Sequence, residues 1–184
     1  THNLHMLLFA ASYDGQGAVA TQAGKDYRKY ADDAQFEATT LIRFGRFDEV
    51  LELDHRPDNS ASAAIYDFAR GYAMLKSGDP EGAQTTLTAL REYVASTNDK
   101  IRFHPAKNVV GVLVHILAGE IQLTDGEVEA AIDSFKQAVT LEDSLDYDEP
   151  EPLPFAARHW LGQTLLDAGQ PTKAEAVFRA ELED

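Results

Sequence analysis

The chain has 184 residues, of which 31 are acidic and 16 are basic, so its formal net charge at pH 7 is −15. That charge opposes an approach to a phosphate backbone or to an anionic membrane surface, and we expect neither nucleic acid nor a membrane as partner. The sequence contains no cysteine, which excludes disulfides, zinc–thiolate sites and a thiol nucleophile.

The first predicted element is an N-terminal helix in the segment THNLHMLLFAASYDGQG. Its apolar run has about the length of a signal-peptide core, but no basic region precedes it and it contains histidine, so we interpret it as a structural helix. No stretch is expected to reach the roughly 20 apolar residues of a membrane-spanning helix, and we expect a soluble protein whose compartment, cytoplasmic or periplasmic, stays open. Because helical patterning runs up to both termini, we also expect a fragment of a longer chain.

One spacing then recurs along the chain: a glycine, an alanine five residues later, and a large apolar residue four residues after the alanine. It is strict in GDPEGAQTTL, GEVEAAIDSF and GQPTKAEAVF, which begin at Gly78, Gly126 and Gly169. Looser copies begin at Gly15 and Gly45. Each strict copy has a second glycine seven residues upstream, namely Gly71, Gly119 and Gly162. The spacing predicts a glycine turn between two helices that cross closely.

The strict segments resemble tetratricopeptide repeats, which are 34-residue helix-turn-helix units. This resemblance implies an all-α fold, a right-handed superhelical solenoid of about five units and about ten helices. We expect one domain over residues 1–184, with units at residues 1–30, 31–60, 64–97, 112–145 and 155–184. The second helix of the second unit should be short, because Pro57 disfavours helix at Arg56.

A closer resemblance links the chain to a group of long bacterial tetratricopeptide-repeat proteins. It depends on an HNLH element at residues 2–5, a YDEP element at residues 147–150 and an Arg-x-x-Leu-Gly element at residues 158–162. The group commonly carries aromatic residues after the YDEP turn, where this chain has Glu151 and Leu153. The resemblance supports the fold and implies no activity.

Two segments interrupt the repeat. Residues 98–108 are basic, and residues 142–154 are acidic and contain three prolines that prevent a helix. We hypothesise that the two segments pair, so that charge reversal at Lys100 and Arg102 destabilises the fold. For the acidic segment itself we expect either a solvated turn or a turn that closes over the groove through Tyr147. A cation site formed by its carboxylates at alternate residues is less favoured, because the segment lacks the glycine of a calcium loop.

In tetratricopeptide arrays, positions two, five, nine and twelve of each first helix line the concave groove. The resemblance therefore implies that the groove includes Ser12, Asp32 and Ile42. The candidate ligand contacts are His2, His5, Phe9, Gln35, Thr39, Phe68, Tyr72, Glu120, His159 and Gln163. The alternative for this whole set is a buried structural face.

We predict a non-enzymatic scaffold that binds a protein or an extended peptide along this groove. The groove positions carry no Lys, Arg or Asn to hold an acidic tail, so the partner should be cationic or apolar, with Asp32 and Glu120 as charged contacts. No catalytic residue, metal site or cofactor is expected. Two alternatives remain: a metal-dependent or small-molecule-binding enzyme region that uses His2, His5 and Glu120, and a spacer that forms homodimers through its uncapped ends.

Overall fold

A computed structural model describes residues 1–182 of the chain. Within that part ten α-helices form five consecutive pairs. Their bounds are α1 (His2–Tyr13), α2 (Gly17–Ala31), α3 (Gln35–Arg43), α4 (Phe47–Glu52), α5 (Ser60–Lys76), α6 (Pro80–Ser96), α7 (Ala106–Thr124), α8 (Val128–Glu142), α9 (Ala157–Asp167) and α10 (Pro171–Glu181). The predicted all-α class is confirmed, and α4 is short, as expected, with six residues.

The helices are arranged in two layers. The first helices of successive pairs pack side by side, α1 on α3, α3 on α5, α5 on α7 and α7 on α9. Among residues 1–182 the second helices of successive pairs make no such contacts, so they lie on the outside. The first helices therefore form the inner, concave layer of a helical-repeat solenoid.

The predicted turn glycines lie in the left-handed backbone region that favours glycine. Their φ angles are 73° at Gly15, 69° at Gly45, 89° at Gly78, 80° at Gly126 and 71° at Gly169. Each one lies where the chain reverses between the two helices of a pair. Glycine suits this position because other residues would be strained at such a φ. The spacing in the sequence thus predicts each turn correctly.

The glycines upstream of the turns permit close helix crossings. A Cβ on Gly119 in α7 would lie 2.5 Å from the Phe135 ring of α8, and a Cβ on Gly162 in α9 would lie 2.3 Å from the Phe178 ring of α10. Carbon atoms in ordinary contact are about 3.5–4.0 Å apart. In these two helix pairs the large apolar residue that ends the spacing therefore packs against a surface that only glycine provides, whereas a Cβ on Gly71 would meet Thr86 rather than Leu87.

Gly119→Ala should lower the free energy of unfolding by about 1–2 kcal/mol, measured by urea denaturation. Alanine favours helix by about 1 kcal/mol, but its methyl group would overlap Phe135, which is fully buried. Gly111→Ala in the same helix is the control, since its Cβ would meet only the end of the Leu141 side chain at 3.1 Å. Equal effects of the two substitutions would show that the close crossing is not the cause.

A small hairpin departs from the expectation of a purely helical chain. Strands β1 (Lys100–Ile101) and β2 (His104–Pro105) pair antiparallel inside the basic segment between α6 and α7. Arg102 takes a positive φ of 56° at the turn between them. Two residues per strand are too few to produce a recognisable alternating pattern, which is why the sequence does not predict them.

Helix α7 corrects the expectation that no stretch is long and apolar enough to cross a bilayer. Residues Ala106–Thr124 meet that requirement by length and composition. In the structure, 72% of this apolar window is buried, and α7 packs against α5, α6 and α8. Such burial is typical of a helix in the core of a repeat array.

Candidate ligand cavity

The segment that joins α8 to α9 lies on the inner layer, and we call residues 143–156 the strap. Leu153 and Phe155 of the strap are 3% and 2% exposed. The Phe155 ring lies 6.3 Å from that of Phe68 in α5 and 5.1 Å from that of Trp160 in α9. The strap therefore fills part of the concave groove with its own apolar side chains. Tyr147 is 82% exposed, so of the two alternatives left open for this segment, closure of the groove through Tyr147 does not occur.

The strap is attached to the hairpin by a buried carboxylate. Asp148 Oδ1 lies 2.6 Å from Arg102 Nη1, and Asp148 Oδ2 lies 3.3 Å from His104 Nε2. Arg102 also donates to the carbonyl oxygen of Pro150 at 3.0 Å. The predicted pairing of the basic and acidic segments is thus present, and Arg102 rather than Lys100 makes it.

A cavity of about 540 Å³ remains between the strap and the inner helices. Every odd-numbered helix contributes to it, from α1 to α9, and its walls are rich in aromatic rings. Its lining residues are Ser12, Tyr13, Gly15, Ile42, Arg43, Phe44, Tyr72, Glu120, Phe155, His159, Trp160 and Gln163. The volume lies within the range of small-molecule sites, which are about 300–1,000 Å³.

The first and last helix pairs meet across this cavity. The rings of Tyr13, at the end of α1, and His159, in α9, have centroids 6.5 Å apart. Burial, and then the nearby Arg43 guanidinium, lower the pKa of His159, so its imidazole is neutral at pH 7. A cavity wall therefore combines residues that are nearly 150 positions apart in the chain.

Arg43 is the cation in the cavity wall, and it is not among the contacts predicted from the sequence. Its Nε donates to the carbonyl oxygen of Ser12 at 3.1 Å, and its Nη1 donates to that of Pro154 at 2.9 Å. Its guanidinium carbon lies 4.8 Å from the centre of the Tyr13 ring. Arg43 directly follows Ile42, a predicted groove position, and this adjacency was the only signal in the sequence.

Glu120, a predicted groove contact, is paired within the fold. The Tyr72 hydroxyl donates to Glu120 Oε1 at 3.0 Å, and Lys76 Nζ contacts Oε2. The indole Nε1 of Trp160 donates to the Tyr72 hydroxyl at 3.3 Å. Burial, and then the Glu120 charge, raise the pKa of Tyr72, which keeps its hydroxyl protonated. Glu120 is therefore not available as an unpaired anion for a cationic ligand.

Comparison with known families agrees with the repeat geometry. The family model for the tetratricopeptide repeat (TPR) matches residues 156–180, which include α9 and most of α10. The chain is a TPR-like protein. No curated protein matches it, and no solved structure does either.

Four of the ten candidate contacts lie together in the cavity of this TPR-like fold, namely Tyr72, Glu120, His159 and Gln163. The other six lie elsewhere. His5 and Gln35 line a separate cavity of about 350 Å³, and Phe68 and Thr39 are fully buried. Phe9 is half-buried beside Tyr13, and His2 is exposed. The remaining predicted charged contact, Asp32, follows the end of α2 and pairs with His55 at 3.2 Å. It does not lie on α3, so its predicted place in the groove is wrong.

The proposed His/Glu site is not assembled in the structure. His5 and Glu120 line different cavities, and His2 lines neither of these two cavities. Within residues 1–182 no group of three or more His, Cys, Asp or Glu side chains is placed to hold a metal ion. The geometry therefore gives no support to the metal-dependent alternative.

The two ends of the strap are joined by Glu142, whose Oε2 accepts a hydrogen bond from the Ala157 amide at 2.8 Å. The pKa of Glu142 is raised to about 8, mainly by burial and to a smaller extent by the nearby carboxylates of Glu181, Glu151 and Asp143, against the lowering effect of the Ala157 amide. The native state therefore keeps a proton that the unfolded chain releases near the ordinary glutamate pKa of 4.5. Stability should fall as the pH rises from about 4.5 to about 8.

Glu142→Gln should remove this pH dependence, because the amide cannot ionise and its oxygen still accepts from Ala157. At pH 8 the variant should be more stable than the natural sequence by about 4 kcal/mol, and at pH 4.5 the two should be nearly equal. Denaturant unfolding at both pH values measures the difference. If the difference in stability between the variant and the natural sequence is the same at both pH values, the pKa of Glu142 is not raised.

Proposed function

We propose that this TPR-like protein is a non-enzymatic, protein-binding scaffold that receives one apolar or aromatic side chain of a partner in the concave cavity. Tetratricopeptide repeats generally mediate protein–protein interactions, which supports the scaffold role. The observation that carries the finer proposal is the cavity of about 540 Å³, lined by aromatic rings of α1, α3, α5, α9 and the strap.

The strap argues against an extended peptide along the whole groove. Phe155 packs against Phe68 and Trp160, so part of the surface that such a peptide would use is already covered. At the cavity the inner layer is still accessible, since Tyr13 is 42% exposed and Gln163 is exposed. A single anchoring side chain therefore suits the geometry better than a continuous strand of contacts.

The charges of the cavity favour an apolar anchor over a cationic one. Glu120 is paired with Lys76, and Arg43 contributes a positive charge to the same wall. A lysine or arginine side chain would be repelled by Arg43 and would find no unpaired carboxylate among the lining residues. Of the two partner classes predicted from the sequence, the apolar class is thus the better supported.

Selection of heptapeptides on the immobilised protein tests this function. The protein has a single tryptophan, Trp160, which lies in the cavity wall, so peptides bound there should change its fluorescence. The selected peptides should share an apolar or aromatic anchor, and Tyr13→Ala should weaken their binding at least fivefold. Tyr30→Ala, on the outer surface of α2 and 71% exposed, is the matched control. Binding that leaves Trp160 unchanged and tolerates Tyr13→Ala would contradict the proposal.

Self-association stays a second candidate, because large apolar side chains of the first helix pair are exposed. Met6 and Leu7 of α1 are 37% and 47% exposed, and Val19 of α2 is 39% exposed. A second copy of the chain would cover them. Sedimentation over a hundredfold range of protein concentration measures this, and Leu7→Glu should abolish any dimer that uses this face. A monomer throughout the range would exclude it.

A further inference from the structure

Arg43 differs from the paired arginines of this acidic chain. Six arginines form ion pairs with carboxylates, namely Arg28, Arg46, Arg56, Arg102, Arg158 and Arg179. Within residues 1–182 no carboxylate lies within ion-pair distance of Arg43. A guanidinium has five N–H groups, and two of those of Arg43 donate to backbone carbonyls, which leaves three without a partner in that part of the chain.

Because Arg43 is partly buried, the lack of a carboxylate partner within residues 1–182 leaves its charge only partly compensated. The side chain is partly buried in the cavity wall, and burial lowers its pKa. An arginine stays charged even so, and a charge removed from water needs a compensating charge or hydrogen bonds. The two carbonyls hold the guanidinium in position but provide only part of that compensation. Arg43 is therefore a fixed positive group that faces an open cavity.

Ser12 provides a second unpaired group beside it. Ser12 lines the same cavity, is 1% exposed, and its Oγ has no hydrogen-bond partner. Arg43 Nε donates to the carbonyl oxygen of Ser12, so the two residues are in direct contact. A buried hydroxyl without a hydrogen-bond partner destabilises the fold, so such groups in native proteins call for an explanation. A charged group and a hydroxyl, both able to donate, thus lie together in one wall.

Apart from Arg43 and the ion-paired Glu120, the cavity wall is apolar or neutral. The Tyr13 ring lies under the guanidinium, and the Phe155 and Trp160 rings meet edge to face at 5.1 Å. His159 is uncharged at pH 7, as its lowered pKa requires. These groups would surround the apolar body of a ligand rather than a second charge.

We propose that this cavity binds an organic monocarboxylate with an aromatic or branched apolar body. The carboxylate accepts hydrogen bonds from the free N–H groups of Arg43 and from the Ser12 hydroxyl, and the body packs among Tyr13, Phe155 and Trp160. Two N–H groups on one guanidinium match the two oxygens of a carboxylate. The inference rests on the proposed function in so far as both place a ligand in the same cavity.

A single carboxylate suits the site better than a phosphate or a dicarboxylate. The net charge of −15 repels polyanions. Lys76 is already paired with Glu120 and therefore provides no second free cation for a further anionic group. Only Arg43 among the lining residues is a cation without an acidic partner. The same chemistry is present in a free carboxylic acid and in the C-terminal residue of a protein partner.

Titration of Trp160 fluorescence with 3-phenylpropionate and with its neutral amide tests the inference. The acid should bind with a dissociation constant on the order of 0.1–1 mM and at least tenfold more tightly than the amide. Arg43→Gln should remove this difference. Arg91→Gln, on an exposed arginine of α6, should leave it unchanged. Because Arg43→Gln also breaks contacts to Ser12 and Pro154, Ser12→Ala is a second variant, which should reduce the preference for the acid without affecting folding.

The pKa of His159, followed by NMR, gives an independent readout. A bound carboxylate should raise it towards its ordinary value, and the amide should not. Peptides that end in Phe, with a free or an amidated C-terminus, show whether the carboxylate comes from a protein C-terminus or from a small-molecule acid. Tighter binding of the free-ended peptide than of 3-phenylpropionate indicates a protein C-terminus. Tighter binding of 3-phenylpropionate indicates a small-molecule acid.

Equal affinities of the acid and the amide would overturn the carboxylate inference and leave the apolar cavity of the proposed function intact. If none of the four probes, the acid, its amide and the two peptides that end in Phe, changes the Trp160 fluorescence, both the inference and the proposed function are overturned. A preference for the acid that survives both Arg43→Gln and Ser12→Ala would also overturn the inference, since the carboxylate would then bind elsewhere.

Discussion

Phe155→Ala should lower the free energy of unfolding by about 3–4 kcal/mol, because it removes the ring with which the strap occupies the groove. Phe155 is 2% exposed and lies between Phe68 and Trp160. Substitution of a buried phenylalanine by alanine costs about 3–5 kcal/mol through lost burial and the cavity left behind. Urea unfolding followed by circular dichroism measures the loss. Trp160 emission should shift to longer wavelength in the native state, since water would reach the indole.

Tyr147→Ala is the matched control for this prediction. Both residues are aromatic and lie on the strap, but Tyr147 is 82% exposed, so its loss should change the free energy of unfolding by less than about 0.5 kcal/mol. The pair of variants decides which aromatic residue closes the groove. Comparable losses in both variants, or no loss for Phe155→Ala, would show that the strap is not held by Phe155.

The repeat architecture could be predicted from sequence because its determinants are local. Gly126 lies in the turn and Gly119 lies under the Phe135 ring, and all three belong to one helix pair. Their fixed separations reflect helix geometry, in which a turn and a crossing recur at set intervals. A short stretch of sequence thus contains all the information needed to recognise one unit.

The path of the strap could not be predicted in the same way. The prolines of residues 142–154 exclude a helix, but they do not specify on which side of the array the segment lies. That choice depends on contacts of Phe155 with Phe68, which is 87 positions earlier in the chain, and of Arg43 with Pro154, which are 111 positions apart. No local pattern records either contact.

The charges of the cavity illustrate the same limit. The repeat resemblance implied a groove position for Glu120, and in the structure Glu120 lines the cavity with Tyr72. The resemblance could not reveal that Lys76, 44 positions earlier, neutralises the carboxylate. Nor could it reveal that Arg43, one position beyond a predicted groove residue, faces the cavity without an acidic partner within residues 1–182. The sequence predicted which helices contribute to the site, and side-chain pairing across helices decided its charge.

Arg102→Glu should lower the free energy of unfolding by about 3 kcal/mol, because it leaves the Asp148 carboxylate buried without its main partner. Asp148 is 6% exposed and contacts Arg102 at 2.6 Å and His104 at 3.3 Å. Loss of one member of a buried ion pair typically costs about 3–5 kcal/mol, and the new carboxylate would add repulsion. Thermal and urea unfolding at pH 7 measure the loss.

Lys100→Glu makes the same change in charge two residues away and serves as the control. Lys100 is exposed and forms no ion pair among residues 1–182, so its reversal should change the stability by less than about 0.5 kcal/mol. The double variant Arg102→Glu with Asp148→Arg should recover part of the loss, since it restores opposite charges at the contact. If Lys100→Glu and Arg102→Glu destabilise equally, the basic segment acts through its overall charge, and the specific contact between Arg102 and Asp148 does not hold the strap.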